Sequence, residues 1–204
     1  MSIAPLTTDQ SDALQEVVNI AMGQAGDRLA RTLDVFVELS VPRIRLVHVS
    51  EIVKTVRAMV NDREAITAVR QSFYDHLCGE AIVLFGASGC LDLAVLMGYA
   101  TDLDALGEQE LLLDVGNILI GACISGIGAQ LQADLSFSPP SIMAEYASLD
   151  TVLVPENLSW EYSLLVEVNF TLENSNFKSH LLILMAEEGI ESLRESLEQL
   201  MAAV

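Results

Sequence analysis

Apolar residues at Leu14, Val17, Val18, Ala21 and Met22 recur one helical turn apart, and this spacing predicts a long amphipathic helix. The polar stretch TTDQSDAL precedes it, with Thr8 or Asp9 as the expected cap. The pattern then shortens to alternation. VFVELSVPRIRLVHV reads as a strand, and SEIVKTVRAMVN (Ser50–Asn61) as a short helix in a connection. AITAVRQSFYDHLCGEAIVLF (Ala65–Phe85) reads as a hairpin around a glycine-containing turn, and GCLDLAVLMGYA (Gly89–Ala100) as a helix. The same series follows again: an apolar helix through Val115–Ala133, the strand LSFSPPSIM, an irregular connection over Ala147–Asn157, the hairpin Ser163–Met185 and the helix Glu187–Val204.

This recurrence is a sequence repeat. Shifted by 98 positions, Asp12–Ile44 falls without a gap on Glu110–Ile142. Nine of the 33 positions are identical, where chance gives about two. They are Leu14/Leu112, Val17/Val115, Asn19/Asn117, Ile20/Ile118, Gly23/Gly121, Leu33/Leu131, Ser40/Ser138, Pro42/Pro140 and Ile44/Ile142. Each half therefore reads as α-β-β-β-α, over about 8–100 and 106–204. The expected fold is α+β: one domain over 1–204 with a pseudo-two-fold axis, a shared and mostly antiparallel sheet, and the two long helices on one side. Pro42 and Pro140 place their strands at an edge or a bulge, since proline has no N–H for a central ladder.

Composition narrows the function. Half of the 204 residues are apolar, enough for a sizeable core, and the net charge is −19. Such a charge disfavours nucleic acid and anionic membranes as partners. The uncharged run Val115–Ala133 is near bilayer length, but Asn117, Ser125, Gln130, Gln132 and four glycines dilute it. A helix covered by protein is expected there, without membrane insertion. Cys78, Cys90 and Cys123 form no CxxC pair and have no histidine at ligand spacing. Reduced thiols in a cytoplasm fit better than a disulfide framework or a zinc site. His48, His76 and His180 are scattered and read as surface or structural residues. The Gly-x-Gly of GIGAQL lies in a helix with no preceding strand, so it does not read as a nucleotide loop. Met22, Met97, Met143 and Met185 read as core fillers, and Trp160 as a corner of the core, with an exposed anchor for a partner as the alternative.

The candidate chemistry lies in the repeated helices. Asp12, Glu16 and Asn19 stand at i, i+4 and i+7, one stripe of a helix; Glu110, Asp114 and Asn117 form the same stripe in the second copy. An amide donates and accepts hydrogen bonds and does not titrate near neutral pH. It can orient a water or a phosphoryl oxygen, while an acid can hold a partner's Lys or Arg. The bland alternative is internal: an Asn bonded to a nearby loop, with Gly23 and Gly121 allowing close helix packing.

The pattern Asp12-x3-Glu16-x2-Asn19, with Pro42 23 positions after the Asn, resembles the signature of the CheC/CheX/FliY phosphatases of bacterial chemotaxis. The second copy is similar, with Pro139 and Pro140 22 and 23 positions after Asn117. Two tandem copies point to the CheC branch. The resemblance implies hydrolysis of the aspartyl phosphate of a CheY-type response regulator. By that likeness Glu16 and Asp114 would hold the regulator's lysine, Asn19 and Asn117 would position the attacking water, and Asp12 and Glu110 would contribute to binding. It implies no cofactor of the protein's own, the Mg2+ being the regulator's, and a CheD-type deamidase as a further partner. An alternative within the same fold is a binding module with little turnover that couples phosphorylated regulator to CheD; a third reading is a duplicated scaffold. The second motif departs from the pattern. Asp114 is one methylene shorter than the usual Glu and falls about 1 Å short, enough to weaken a site. Glu110 stands where Ser or Asp is usual, and Val18 and Gly116 differ just before the Asn. Asn19→Ala is thus expected to be more damaging than Asn117→Ala.

Overall fold

A computed structural model of the chain describes residues 5–60, 65–86, 90–99, 103–154, 160–173 and 177–203. The first half runs α1 (Thr8–Leu33), β1 (Val37–Leu39), β2 (Arg43–His48), a 3-10 turn (Val49–Glu51), α2 (Ile52–Val60), β3 (Ile66–Asp75), β4 (Gly79–Gly86) and α3 (Cys90–Leu96). The second runs α4 (Ala105–Leu131), β5 (Leu135–Phe137), β6 (Ser141–Ala147), α5 (Leu149–Val152), β7 (Tyr162–Leu172), β8 (Lys178–Met185) and α6 (Glu187–Ala202). The fold is α+β, with every strand pairing antiparallel.

The sheet runs β1-β7-β8-β4-β3-β5, with β2 also on β7 and β6 also on β3. Each half therefore lends the two strands that flank its proline to the hairpin of the other. The order reads the same from either end once the halves are exchanged, and so does the register: Val37↔Leu172 and Leu39↔Phe170 are matched by Leu135↔Asp75 and Phe137↔Phe73. Neither half has its edge strands without the other.

The prolines lie at the edges, as their missing N–H requires. They also split each expected strand in two, and a repeated serine bridges the gap. Ser40 N–H donates to Asn169 O (3.0 Å), and Asn169 N–H donates to Ser40 Oγ (2.9 Å). In the mirror position Ser138 N–H donates to Ser72 O, and Ser72 N–H to Ser138 Oγ, both at 3.0 Å.

Alternation in the strands splits the core. Val69, Phe73, Val83, Val166, Val168 and Phe170 face α1, α4, α3 and α6. Ala68, Ile82, Leu84, Leu165, Leu182 and Leu184 face α2 and α5, where Trp160 packs half-buried. The most apolar stretch of α4 is 67% buried against this protein core. Met22 and Met185 are buried; Met97 and Met143 pack half-buried beside the core.

Local details differ from expectation. Thr7, not Thr8 or Asp9, caps α1, because its hydroxyl accepts from Gln10 N–H while Gln10 Oε1 accepts from Thr7 N–H. The connection Ala147–Asn157, expected to be irregular, contains α5, which brings Asp150 to an ion pair with Arg57 of α2. The helix expected over Gly89–Ala100 spans Cys90–Leu96, its two expected end residues lying outside the described residues. Helices α1 and α4 both end on a left-handed residue with φ 53°, Asp34 and Gln132. These are equivalent positions of the repeat. Cys78 and Cys123 are free thiols; burial pushes both up, with Glu188 adding to the effect at Cys78.

Candidate functional site

All six motif residues are exposed. Leu14, Val17, Val18, Ala21 and Met22 turn one side of α1 into the core, so helical geometry sends Asp12, Glu16 and Asn19 outward. Leu111, Leu112, Val115, Leu119 and Ile120 do the same for Glu110, Asp114 and Asn117 on α4. The helices pack together, with Ala21 against Gly126. Gly126 lies nine residues beyond Asn117, so roughly 13 Å of helix separates that crossing from the second asparagine. The two stripes are therefore distinct sites.

The repeated glycines are not packing residues. A Cβ built at Gly23 or Gly121 meets nothing within 4 Å. Gly23 follows Asn19 by about one turn on the same stripe, so its lack of a side chain leaves open surface beside the amide. Ile20 and, at 72% exposure, Val41 add apolar surface next to the first motif.

The fixed Asn-to-Pro spacing has a tertiary cause. Gln15 Nε2 donates to Pro42 O (3.1 Å), tying the first proline segment to the residue before Glu16. In the second copy the link comes from the sheet. Gln71 of β3 donates from Nε2 to Ser138 O (2.7 Å) and to Asn117 Oδ1 (3.2 Å).

The two copies are thus differently engaged. Tyr99 donates its hydroxyl to Asp114 Oδ2 (2.7 Å), and this bond holds the Tyr99 phenol above its usual pKa. Asp114 and Asn117 both have internal partners. Among the described residues, Glu16 and Asn19 have no side-chain hydrogen bond or ion pair. Gln15, Gln71 and Tyr99 were not legible as site residues. For Gln71 there was one signal, an amide at an inward position of the alternation between Val69 and Phe73.

Two other features lie apart from the motif. A cleft of about 570 Å3, lined by Arg70, Phe73, Glu80, Met143, Trp160 and Leu184 among others, contains none of the six motif residues. Glu167, fully buried on β7, binds Arg43 Nε (2.7 Å) and His180 Nδ1 (2.8 Å). Burial opposes its charge, but the bonds from His180 and Arg43 outweigh this and hold the carboxyl below the usual carboxylate range. His180 is thus a structural residue.

These features belong to a fold shared with FliY, FliM and CheX proteins. The chain has the CheC/CheX/FliY-type fold. No family model matches the sequence. Thermotoga maritima FliY is similar in structure, with a TM-score of 0.70, 19% identity, and coverage of 96% of this chain and 99% of that one. A chain of the FliG–FliM complex from H. pylori gives a TM-score of 0.64 at 12% identity, covering 93% and 100%. The chemotaxis protein CheX from Desulfovibrio desulfuricans gives 0.54 at 10% identity, covering 82% and 99%.

Proposed function

We propose that the protein is a cytoplasmic phosphatase of chemotaxis signalling, acting on the aspartyl phosphate of a CheY-type response regulator. The observation that carries this is the repeated acid–amide stripe, solvent-facing in both copies and flanked by a glycine whose missing side chain leaves open surface. A protein docking on that surface could bring its phosphoaspartate to Asn19. The carboxamide of Asn19 orients a water for in-line attack on phosphorus. The bond from phosphorus to the aspartyl oxygen breaks, freeing the regulator's carboxylate and inorganic phosphate. Glu16 pairs with the regulator's lysine and sets the register of docking, with Asp12 one turn earlier on the same stripe. An acyl phosphate already has a good leaving group, so alignment of water supplies most of the gain, and no strong base or enzyme-bound metal is required. The Mg2+ is the regulator's own.

The internal bonds to Asp114 and Asn117 favour a second reading for that copy, a site that binds phosphorylated regulator with little turnover. Coupling to a CheD-type deamidase would use such binding. The test is phosphate release from a phosphorylated CheY-type receiver with wild type, Asn19→Ala, Asn117→Ala and the double variant. Faster release than the receiver's own decay, lost chiefly in Asn19→Ala, is expected. Release at the receiver's own rate sinks the enzyme reading for that receiver, and phosphate-dependent binding would then leave the module.

A further inference from the structure

Gln71 has no reason in packing to be a glutamine. It lies only 4% exposed in β3, its inward neighbours Val69 and Phe73 are apolar, and its Oε1 is buried without a partner among the described residues. Leaving a buried acceptor unpaired is unfavourable, and an apolar residue of similar size avoids it. The other half of the molecule does so. The serine bridges equate Ser72 with Asn169, which makes Val168 the equivalent of Gln71. The pseudo-two-fold axis therefore places a donor behind Asn117 and a methyl group at the matching place behind Asn19.

The orientation of the Gln71 amide follows from its surroundings. Ser138 O is a carbonyl oxygen and only accepts, so the nitrogen of Gln71 faces it. The second hydrogen on that nitrogen goes to Asn117 Oδ1. This turns the carbonyl oxygen of Asn117 inward and its NH2 group outward. Phosphoryl oxygens are acceptors and suit an outward NH2. An attacking water must also give a hydrogen to an acceptor, and in this copy that acceptor is turned away.

We propose that Gln71 is a positioning residue that divides the work between the copies: it fixes Asn117 as a donor that binds a receiver's phosphoryl group, and leaves water alignment to Asn19. This rests on the phosphatase reading above. The test uses the full chain carrying Asn19→Ala, alone and combined with Gln71→Val or with Gln71→Met, which keeps more of the volume. Thermal melts select whichever combined variant stays folded. Single-turnover release is followed from a receiver domain charged with phosphoramidate and Mg2+; binding is followed with the beryllofluoride-loaded receiver. Releasing Asn117 is expected to raise release on the order of tenfold over Asn19→Ala alone, within the span that misaimed groups cost. Binding should change little. A merely structural Gln71 gives no such gain. Unchanged release in the folded combined variant, or full activity in Asn19→Ala, overturns the division of labour while the phosphatase reading stands. Wild-type release at the receiver's own decay rate overturns both.

Discussion

Asn19 and Asn117 are the same residue at equivalent positions, yet their surroundings differ. Among the described residues, Asn19 and Glu16 face solvent without side-chain partners, whereas Gln71 holds Asn117 and Tyr99 holds Asp114. Asn19→Ala should therefore lower phosphate release by about a hundredfold, the scale of loss when the alignment of a reacting group is lost, and Asn117→Ala by clearly less. Gly23 permits a cleaner separation of stability from docking. Gly23→Ala should raise stability by up to about 1 kcal/mol, because a helix-interior glycine carries an entropic penalty and the added Cβ meets nothing. Gly23→Gln should keep the fold, by circular dichroism and thermal melt, but slow release by placing a side chain where the receiver docks. Unimpaired release in Gly23→Gln would remove that face of α1 from the interface.

At the scale of elements, the proline-split edge strands are the most informative. Proline interrupts the ladder, and Ser40 and Ser138 restore it with one backbone and one side-chain bond each. Ser40→Ala should cost about 1 kcal/mol, since Asn169 N–H loses its acceptor, and Ser138→Ala should cost about the same through Ser72 N–H. Denaturant titration of the two variants checks this, and equal losses would show that the bridges are equivalent. The repeat revealed both serines as identities, but their partners are strands of the opposite half and carry no identity to them. Similarly, the helical period of α1 disclosed its outward stripe, while the 3-10 turn and α5 lay in segments too short for a period to register.

The whole molecule is a two-fold arrangement with an uneven charge distribution. Arg43, Glu167 and His180 form a cluster across β2, β7 and β8, with Glu167 and His180 buried and Arg43 partly exposed, whereas their mirror positions hold Ser141, Arg70 and Glu80, with Arg70 and Glu80 4.0 Å apart and partly exposed. Because the Glu167 carboxyl is depressed in the folded state, its contribution is fully present above the unfolded pKa of about 4.3 and is lost as pH falls through the lower folded value. Stability should therefore decline below about pH 4. Glu167→Gln should be less stable at neutral pH by about 1.5–3 kcal/mol, the range for hydrogen bonds to charged groups, and should show a shallower acid decline in melts between neutral pH and pH 3. An acid limb as steep as that of the wild type would assign acid sensitivity to other carboxylates.

The sequence by itself determined the repeat, the α+β alternation, the edge position of the prolines and the two outward acid–amide stripes. Each follows from local geometry: a 3.6-residue period, a two-residue period, or a missing N–H. Tertiary structure alone decided that the halves exchange edge strands, that the repeated glycines clear surface instead of packing helices, and that Gln71 reaches an asparagine 46 residues away. Those outcomes depend on which strand lies beside which, and on how its register sets one inward side chain against one helix turn. A linear pattern carries no term for that register, so two copies that read alike came to hold their asparagines differently.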